Sequence, residues 1–328
     1  MNVLITGGAG YIGSHTVKQL FLKNYNPVVV DNLSEGHRES IKNGEFIKGD
    51  IGDCNFLERV FLKNKFDIVI HFAASCYVEE SVKNPQKYFY NNIVNSLNLL
   101  KVMLEHDVRK IIFSSSCAVY GEPVYIPIDE KHPINPVSPY GATKYIFEKI
   151  LEYYENAYNL KYISLRYFNA AGADESGDIG EDHSPETHLI PLVLKVALNK
   201  IDKINIFGDD YTTPDGTCIR DYIHVTDLAN AHILALEYLL KEKKSDIFNL
   251  GNGEGYSVKE IIEISRKITG HPIPESIVGR RSGDPAKLVA SSEKISSILG
   301  WKPLHSDIYN IIQSAWKWHK KNPNGYKK

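Results

Sequence analysis

Val3-Leu4-Ile5-Thr6-Gly7-Gly8-Ala9-Gly10-Tyr11-Ile12-Gly13 runs from a short apolar segment into a glycine string, and a helical pattern continues from Tyr11 to about Lys23. Glycines at 7, 10 and 13 remove side chains where a backbone must turn and approach a phosphate. The helix start that follows offers free N–H groups and the positive end of a dipole. Taken alone, such a string is a tight strand-to-helix turn as often as anything else. With a strand before it and a helix after it, it reads as the phosphate loop of a dinucleotide site, with Gly7, Gly10, Tyr11, Ile12 and Gly13 against the pyrophosphate.

Outward from this loop the first half alternates. Apolar runs at Pro27–Asp31, Glu45–Lys48, Phe66–Phe72, Lys110–Phe113 and Tyr162–Leu165 are separated by helical stretches such as Cys54–Leu62, Tyr90–Glu105 and one that begins near Pro139. Continuous apolar strands between helices predict a doubly wound parallel α/β sheet of the Rossmann type, covered on both faces. After Asn169 the pattern loosens. Gly172 to Pro185 reads as a long polar loop, with helices expected at Leu189–Leu198, Val225–Leu240, Val258–Ile268 and Asp307–His319 and short strands near Ile204–Phe207 and Ile247–Leu250. The expected division is a dinucleotide-binding domain over 1–168, joined by a segment near 221–245, and a smaller α/β substrate domain over 169–328.

Asp31 ends the second strand, 18 residues after Gly13. A carboxylate there accepts hydrogen bonds from a ribose diol and repels a 2′-phosphate, so NAD is expected over NADP. A second pattern is Tyr140-Gly141-Ala142-Thr143-Lys144, in which residues i and i+4 share one helix face. Ser138-Pro139 before it reads as an N-cap with proline at the first helical position. A phenol of pKa about 10 is a poor base at neutral pH, and an ammonium, a helix start and a nicotinamide cation all favour its anion. Ser116, after the fifth strand, lies where open α/β sheets place ligands. Singly, Ser116 reads as a polar turn and Tyr-x-x-x-Lys as a chance pair; behind a dinucleotide loop they read together as a redox site.

The bulk composition fits this. The chain has 328 residues, 43% hydrophobic and 24% charged, with a net charge of −2. That balance lacks the basic footprint of a nucleic-acid binder. No apolar run reaches membrane-span length, and no leader precedes the first strand, so a cytoplasmic protein without membrane contact is expected. The four cysteines, Cys54, Cys76, Cys117 and Cys218, form no CxxC pair and have no histidine at ligand spacing, so reduced thiols and no metal are expected.

The glycine loop with Ser116 and Tyr140/Lys144 resembles the extended short-chain dehydrogenase/reductase family. Longer segments narrow the resemblance to its UDP-glucose 4-epimerase branch: Asn2–Thr16, Phe113–Gly121, Leu165–Gly172, Phe207–Tyr211, Asp215–Thr217 and Arg220–Asp227. The likeness spans essentially the whole chain. It implies a redox-neutral interconversion of UDP-glucose and UDP-galactose through a 4-keto sugar, with the hydride held in the interval on tightly bound NAD. It further implies Tyr140 as base, Ser116 as hydroxyl relay and Lys144 as ribose contact. Asn32, Asp50, Ile51, Phe72, Ala73, Asn91 and Phe168 are implied as cofactor contacts. Asn169, His188, Leu189, Arg220, Arg281 and Asp284 are implied at the nucleotide of the substrate, beside Ser116 and Tyr140. The plainer, minority reading of Arg220 and Arg281 is a surface or interdomain ion pair, and Phe207 and Tyr222 read as a uracil frame or as plain core. A homodimer joined through helices around Asn92–Glu105 and Tyr140–Tyr154 is also implied.

Two positions depart from the family pattern. Cys76 stands where some members carry a lysine near the cofactor, which implies looser NAD binding. Leu288 stands at the position that gates room for an N-acetyl group, and its intermediate size leaves UDP-N-acetylhexosamine use open. The nearest rival is a nucleotide-sugar 4,6-dehydratase, whose relatives carry Asp-Glu after the Ser/Thr; Cys117 and Ala118 stand there instead. A catalytically silent NAD-binding sensor does not require all three of Ser116, Tyr140 and Lys144.

Overall fold

The computed structural model describes every residue except Lys243, Ser282, Lys327 and Lys328. Elements β1 (Asn2–Thr6), α1 (Tyr11–Leu22), β2 (Asn26–Asp31), β3 (Glu45–Lys48), α2 (Cys54–Lys63) and β4 (Ile68–His71) come first. They are followed by α3 (Val78–Lys83), α4 (Pro85–Phe89), α5 (Asn95–Glu105), β5 (Lys110–Ser116), α6 (Pro139–Tyr158) and β6 (Lys161–Tyr167). The second half holds β7 (Asn169–Ala171), α7 (Leu189–Ala197), β8 (Ile204–Phe207), β9 (Ile219–Arg220), β10 (Tyr222–His224), α8 (Val225–Glu242) and β11 (Asp246–Leu250). It ends with β12 (Tyr256–Ser257), α9 (Val258–Thr269), β13 (Glu275–Val278), β14 (Lys287–Leu288), α10 (Glu293–Leu299) and α11 (Ile308–Lys321).

The large sheet has seven strands in the order β11-β6-β5-β4-β1-β2-β3, all parallel. Its strands are apolar on both faces because both faces are covered. One face packs Ile5, Ile70 and Ile163 under Val17 and Leu20 of α1 and Leu228 and Leu236 of α8. The other packs Leu4, Val69 and Ile111 under Leu57 of α2, Leu99 of α5 and Phe147 of α6. Strand order reverses between β1 and β4, which opens a crevice at their carboxyl ends. A separate core gathers Ile190 and Leu194 of α7, Ile204 and Ile206 of β8, Ile261 of α9 and Ile312 of α11.

Three expectations need correction. The stretch Tyr90–Glu105 is not one regular helix: Tyr90–Val94 is π-helical, and α5 starts at Asn95. Side chains of Asn91 and Asn92 bond back to Ser75 there, which widens the turn. The segment that rejoins the large sheet runs past 245, because β11 pairs with β6 from Asp246 to Leu250. Strand β5 continues beyond Phe113 and ends on Ser116 itself, since its polar end is paired with β6 through Ser116 and Tyr167. The long loop after Gly172 is present and reaches α7.

Candidate active site

The glycine loop closes the crevice from below. Gly7 has φ +72°, and a Cβ on it would sit 2.4 Å from the Ala73 nitrogen; a Cβ on Gly13 would sit 2.5 Å from the Gly7 oxygen. Gly10 caps α1 without a side-chain hydrogen bond, so the N–H groups of the first turn remain for an anion. Asp31 is buried at the end of β2; its two oxygens accept from Ala9 N at 3.0 Å and Leu33 N at 2.8 Å. Asn32 donates to Asp50 at 2.8 Å, and Ile51 follows in the core, so these three sit together at one end of the crevice. Asn32 and Asn91 line one cleft of about 530 Å³ with Ser75 and Asn95, and the Asn95 Oδ1 is buried without a partner. Phe72 and Ala73 both donate from their backbone to the Thr6 carbonyl, while Phe168 is buried with Val119 and Tyr120. The cradle fits NAD: backbone stands where a pyrophosphate needs it, and a carboxylate stands where a ribose diol needs it.

Ser116, Tyr140 and Lys144 stand on β5 and the first turns of α6. Ser138 accepts from Gly141 N at 3.1 Å, and Pro139 is the first residue of α6, so Tyr140 falls in the first turn as the sequence predicts. Lys144 is buried one turn further on, with Nζ donating to the Ser114 carbonyl at 2.7 Å. The same Nζ is 5.7 Å from the Tyr140 ring centre and 5.0 Å from that of Phe113. Ser116 closes β5 and accepts from Ala118 N at 3.1 Å. Burial pushes the Tyr140 phenol well up and the Cys76 thiolate opposes its ionisation further, while the Ser116 hydroxyl favours the anion. Burial also pushes Lys144 down to about 8.

Several supports went unread in the sequence. Asn92 accepts from Ser75 N at 2.8 Å and donates to Thr143 at 3.1 Å, tying the loop after β4 to α6. Its neighbour Asn91 carried the family signal, whereas a buried asparagine bonded to backbone leaves no motif. Behind Ser116, Arg166 pairs with Glu148, which also accepts from Ser115 at 2.6 Å. Arg166 also donates to Tyr120, which donates to Asn249.

On the far side, β9 and β14 place Arg220 beside Leu288. Arg220 donates to the Pro285 carbonyl at 2.8 Å and faces Asp284 at 3.5 Å. Leu288 packs with Cys117 and Phe168. Asn169 donates to the Asp221 carbonyl at 2.9 Å. Arg281 stacks on Phe207, its guanidinium 3.9 Å from the ring centre. Tyr222 is buried in the core that holds α7 and α11. His188 caps α7 just before Leu189, with its ring half exposed. Beneath it Glu181, His183 and Glu186 converge, a grouping whose spacing of two, three and two residues up to His188 matches no familiar metal motif in the sequence. Burial opposes protonation of His183, but Glu181 and Glu186 hold it up to about 9.

A family model described as the NAD dependent epimerase/dehydratase family matches residues 3–251. The UDP-glucose 4-epimerase of Halalkalibacterium halodurans is 57% identical over 99% of this chain and 98% of its own. A crystal structure of a UDP-glucose 4-epimerase superposes with a TM-score of 0.98 at 52% identity, over 100% of both chains. The Bifidobacterium longum UDP-glucose 4-epimerase, solved with NAD⁺ and UDP, superposes with a TM-score of 0.94 at 43% identity, over 99% of this chain and 100% of that one.

Proposed function

Because the chain belongs to the NAD dependent epimerase/dehydratase family, we propose a division of labour among its residues for the reversible conversion of UDP-glucose to UDP-galactose. The chain is an NAD-dependent epimerase acting on UDP-sugars, as its full-length likeness to UDP-glucose 4-epimerases supports. What supports the assignment most is that the Lys144 ammonium lies 5.7 Å from the Tyr140 ring and the Ser116 hydroxyl lies where it favours the phenolate, in a chain that carries the strand–glycine loop–helix unit.

Tyr140 removes the proton of the sugar 4-hydroxyl and later returns it to the 4-oxygen, with Ser116 passing the proton between them; inversion arises at C4, whose hydrogen is restored from the opposite face. Lys144 keeps a positive charge under the phenol and holds a ribose hydroxyl. Bound NAD supplies reversible hydride exchange at sugar C4, which leaves the overall reaction redox-neutral. Gly7, Gly10, Tyr11, Ile12 and Gly13 hold its pyrophosphate, Asp31 its ribose, and Asn32, Asp50 and Ile51 its adenine end. Asn169, His188, Leu189, Arg220, Arg281 and Asp284 anchor the uridine diphosphate. The 4-keto sugar is thereby free to turn about its link to a fixed nucleotide. Phe207, under the Arg281 guanidinium, frames the uracil. Residues 1–168 with the returning segment form the cofactor domain, and the rest of 169–328 the nucleotide-sugar domain.

Elimination of water lacks an acid–base pair, since Cys117 and Ala118 follow Ser116. Burial pushes the Cys117 thiol up to about 12, which keeps it neutral. Leu288, half-buried against Cys117, leaves more room than an aromatic side chain, and this supports additional use of UDP-N-acetylhexosamines. Val94, Ile146 and Tyr153 are exposed on the helices around α5 and α6, which supports a homodimer through that face. Among the described residues no helix is long and apolar enough to cross a membrane, and we place the enzyme in the cytoplasm. The experiment is incubation with UDP-glucose without added NAD, followed by chromatography with mass detection. UDP-galactose at unchanged mass is expected. A product lighter by one water would replace this reading with the dehydratase, and no conversion even with NAD added would remove it.

A further inference from the structure

Glu181, His183, Glu186 and His188 follow one another along the loop into α7 at intervals of two, three and two residues. One ligand atom from each lies within 4.8 Å of all the others. The His188 Nδ1 is 2.9 Å from the Glu181 Oε1 and 2.9 Å from the Glu186 Oε1. The His183 Nδ1 is 3.2 Å from the Glu181 Oε1 and 3.8 Å from the Glu186 Oε2. We propose that these four side chains form a site for a zinc-class ion that braces the loop against the start of α7 and so fixes His188, which the reading above sets beside the substrate nucleotide.

Geometry is the first support. A tetrahedral ion with bonds of about 2.0–2.1 Å to nitrogen and oxygen separates its ligands by about 3.3 Å. Three of the four distances, 2.9, 2.9 and 3.2 Å, lie within half an ångström of that value, and the ligand atoms all stay within 4.8 Å of one another, so an ion enters as the cluster draws together around it. The second support is a buried polar atom that faces carboxylates without an aligned hydrogen bond. The His183 Nδ1 is sealed from solvent and makes no hydrogen bond, although it faces the carboxylates. Buried polar atoms without partners are rare in native proteins, and an ion at the centre of the four would satisfy this one.

Charge and ligand type set the class. The Glu181 and Glu186 side chains are 5% and 3% exposed, and buried carboxylates are normally paired or bound to metal. A divalent ion with two neutral imidazoles leaves the group neutral, as two imidazoliums would. Two nitrogens with two carboxylate oxygens suit zinc or cobalt, whereas magnesium and calcium take oxygen alone. The site borders the crevice: the His183 ring centre is 6.3 Å from that of Tyr11 in the glycine loop and 6.0 Å from that of Tyr77. The loop over 172–188 has no regular secondary structure of its own, so four bonds to one ion would fix its shape and the direction of His188.

The test uses the full chain with its cofactor, treated with chelator, dialysed, and titrated calorimetrically with Zn²⁺. One equivalent is expected at about micromolar affinity or tighter. Cobalt should give visible bands of a tetrahedral nitrogen–oxygen site without an intense near-ultraviolet thiolate band. Saturating zinc should raise the thermal midpoint, and chelator should reverse the rise. His183→Ala and the nearly isosteric Glu186→Gln, each checked for folding by circular dichroism, should lose the equivalent. No stoichiometric binding by the parent protein would overturn the site and leave a proton-bridged cluster. Binding retained in both variants, or a cobalt thiolate band, would place the ion elsewhere and overturn it equally.

Discussion

Lys144 stands one helical turn beyond Tyr140 on α6, its ammonium 5.7 Å from the phenol ring centre and tied to the Ser114 carbonyl at 2.7 Å. Burial works against both charged forms, raising the phenol and lowering the lysine. The pair is thus set for chemistry at a cost in stability, as functional sites commonly are. Tyr140→Phe keeps the ring and removes only the acid–base group. Turnover of UDP-glucose should fall by about 10²–10⁴-fold, the usual worth of a positioned acid–base group. NAD released from the denatured variant should match the parent in amount. Undiminished turnover would take the base role from Tyr140.

The lysine carries the pH prediction. Its folded value of about 8 lies below the ordinary 10.5, so burial of the charge opposes folding. Between those values the unfolded chain holds more protons than the folded one, and stability should rise with pH through that window. Below about pH 8 the penalty is fully present, on the order of 3 kcal/mol, less what the Ser114 bond returns. Lys144→Met should therefore stabilise the cofactor-free protein by roughly 1–2 kcal/mol at pH 7 and flatten its stability between pH 8 and 10. Denaturant melts at several pH values would show this. A destabilised variant would mean that the Ser114 bond outweighs the buried charge.

The parts legible in the sequence are those that repeat a local pattern. The apolar runs at Val3–Ile5 and Val28–Val30 and the cap at Ser138-Pro139 act within a few residues, so the large sheet and the start of α6 follow from reading along the chain. β11 escaped the cofactor half because its place beside β6 depends on pairing across some eighty residues, from Asp246 back to Ile163. The π-turn at Tyr90–Val94 escaped because Asn91 and Asn92 satisfy partners from another loop, and the helical period carries no trace of that. Within the site, Tyr140 and Lys144 share a helix face and announce each other. Asn92, Glu148 and Arg166 touch their partners only in three dimensions.

Asp31 already spends both oxygens on the backbone of Ala9 and Leu33, so it shapes the loop in addition to the ribose contact we propose for it. Hydrogen bonds to a charged group contribute about 1.5–3 kcal/mol. Asp31→Ala should weaken NAD by about 10–100-fold and narrow its preference over NADP. Cofactor titrations of the emptied protein would measure both. Unchanged NAD affinity would reduce Asp31 to a loop anchor.

Glu148 lies in the interior with Arg166, Ser115 and Tyr120 around it. Removing one partner of a buried ion pair strands the other charge, at a cost of about 3–5 kcal/mol. Glu148→Ala should lower stability by that amount in denaturant melts. The double variant Glu148→Met with Arg166→Met should cost less than the single one, because neither charge is left unpaired. Equal costs would show that packing rather than pairing dominates there.

Arg220 is held on one side by the Ile219 and Pro285 carbonyls, at 3.0 and 2.8 Å from one of its terminal nitrogens. That anchoring pre-orients the guanidinium, and a planar fork matches a diphosphate where a lysine ammonium offers only a point charge. Arg220→Lys keeps the charge and loses the fork. The KM for UDP-glucose should rise by about 10-fold or more, with kcat changing less, since the loss falls on a part of the substrate remote from C4. Inhibition by free UDP, which lacks the sugar, should weaken by a similar factor. A variant that binds UDP as before would return Arg220 to the simpler role of pairing with Asp284.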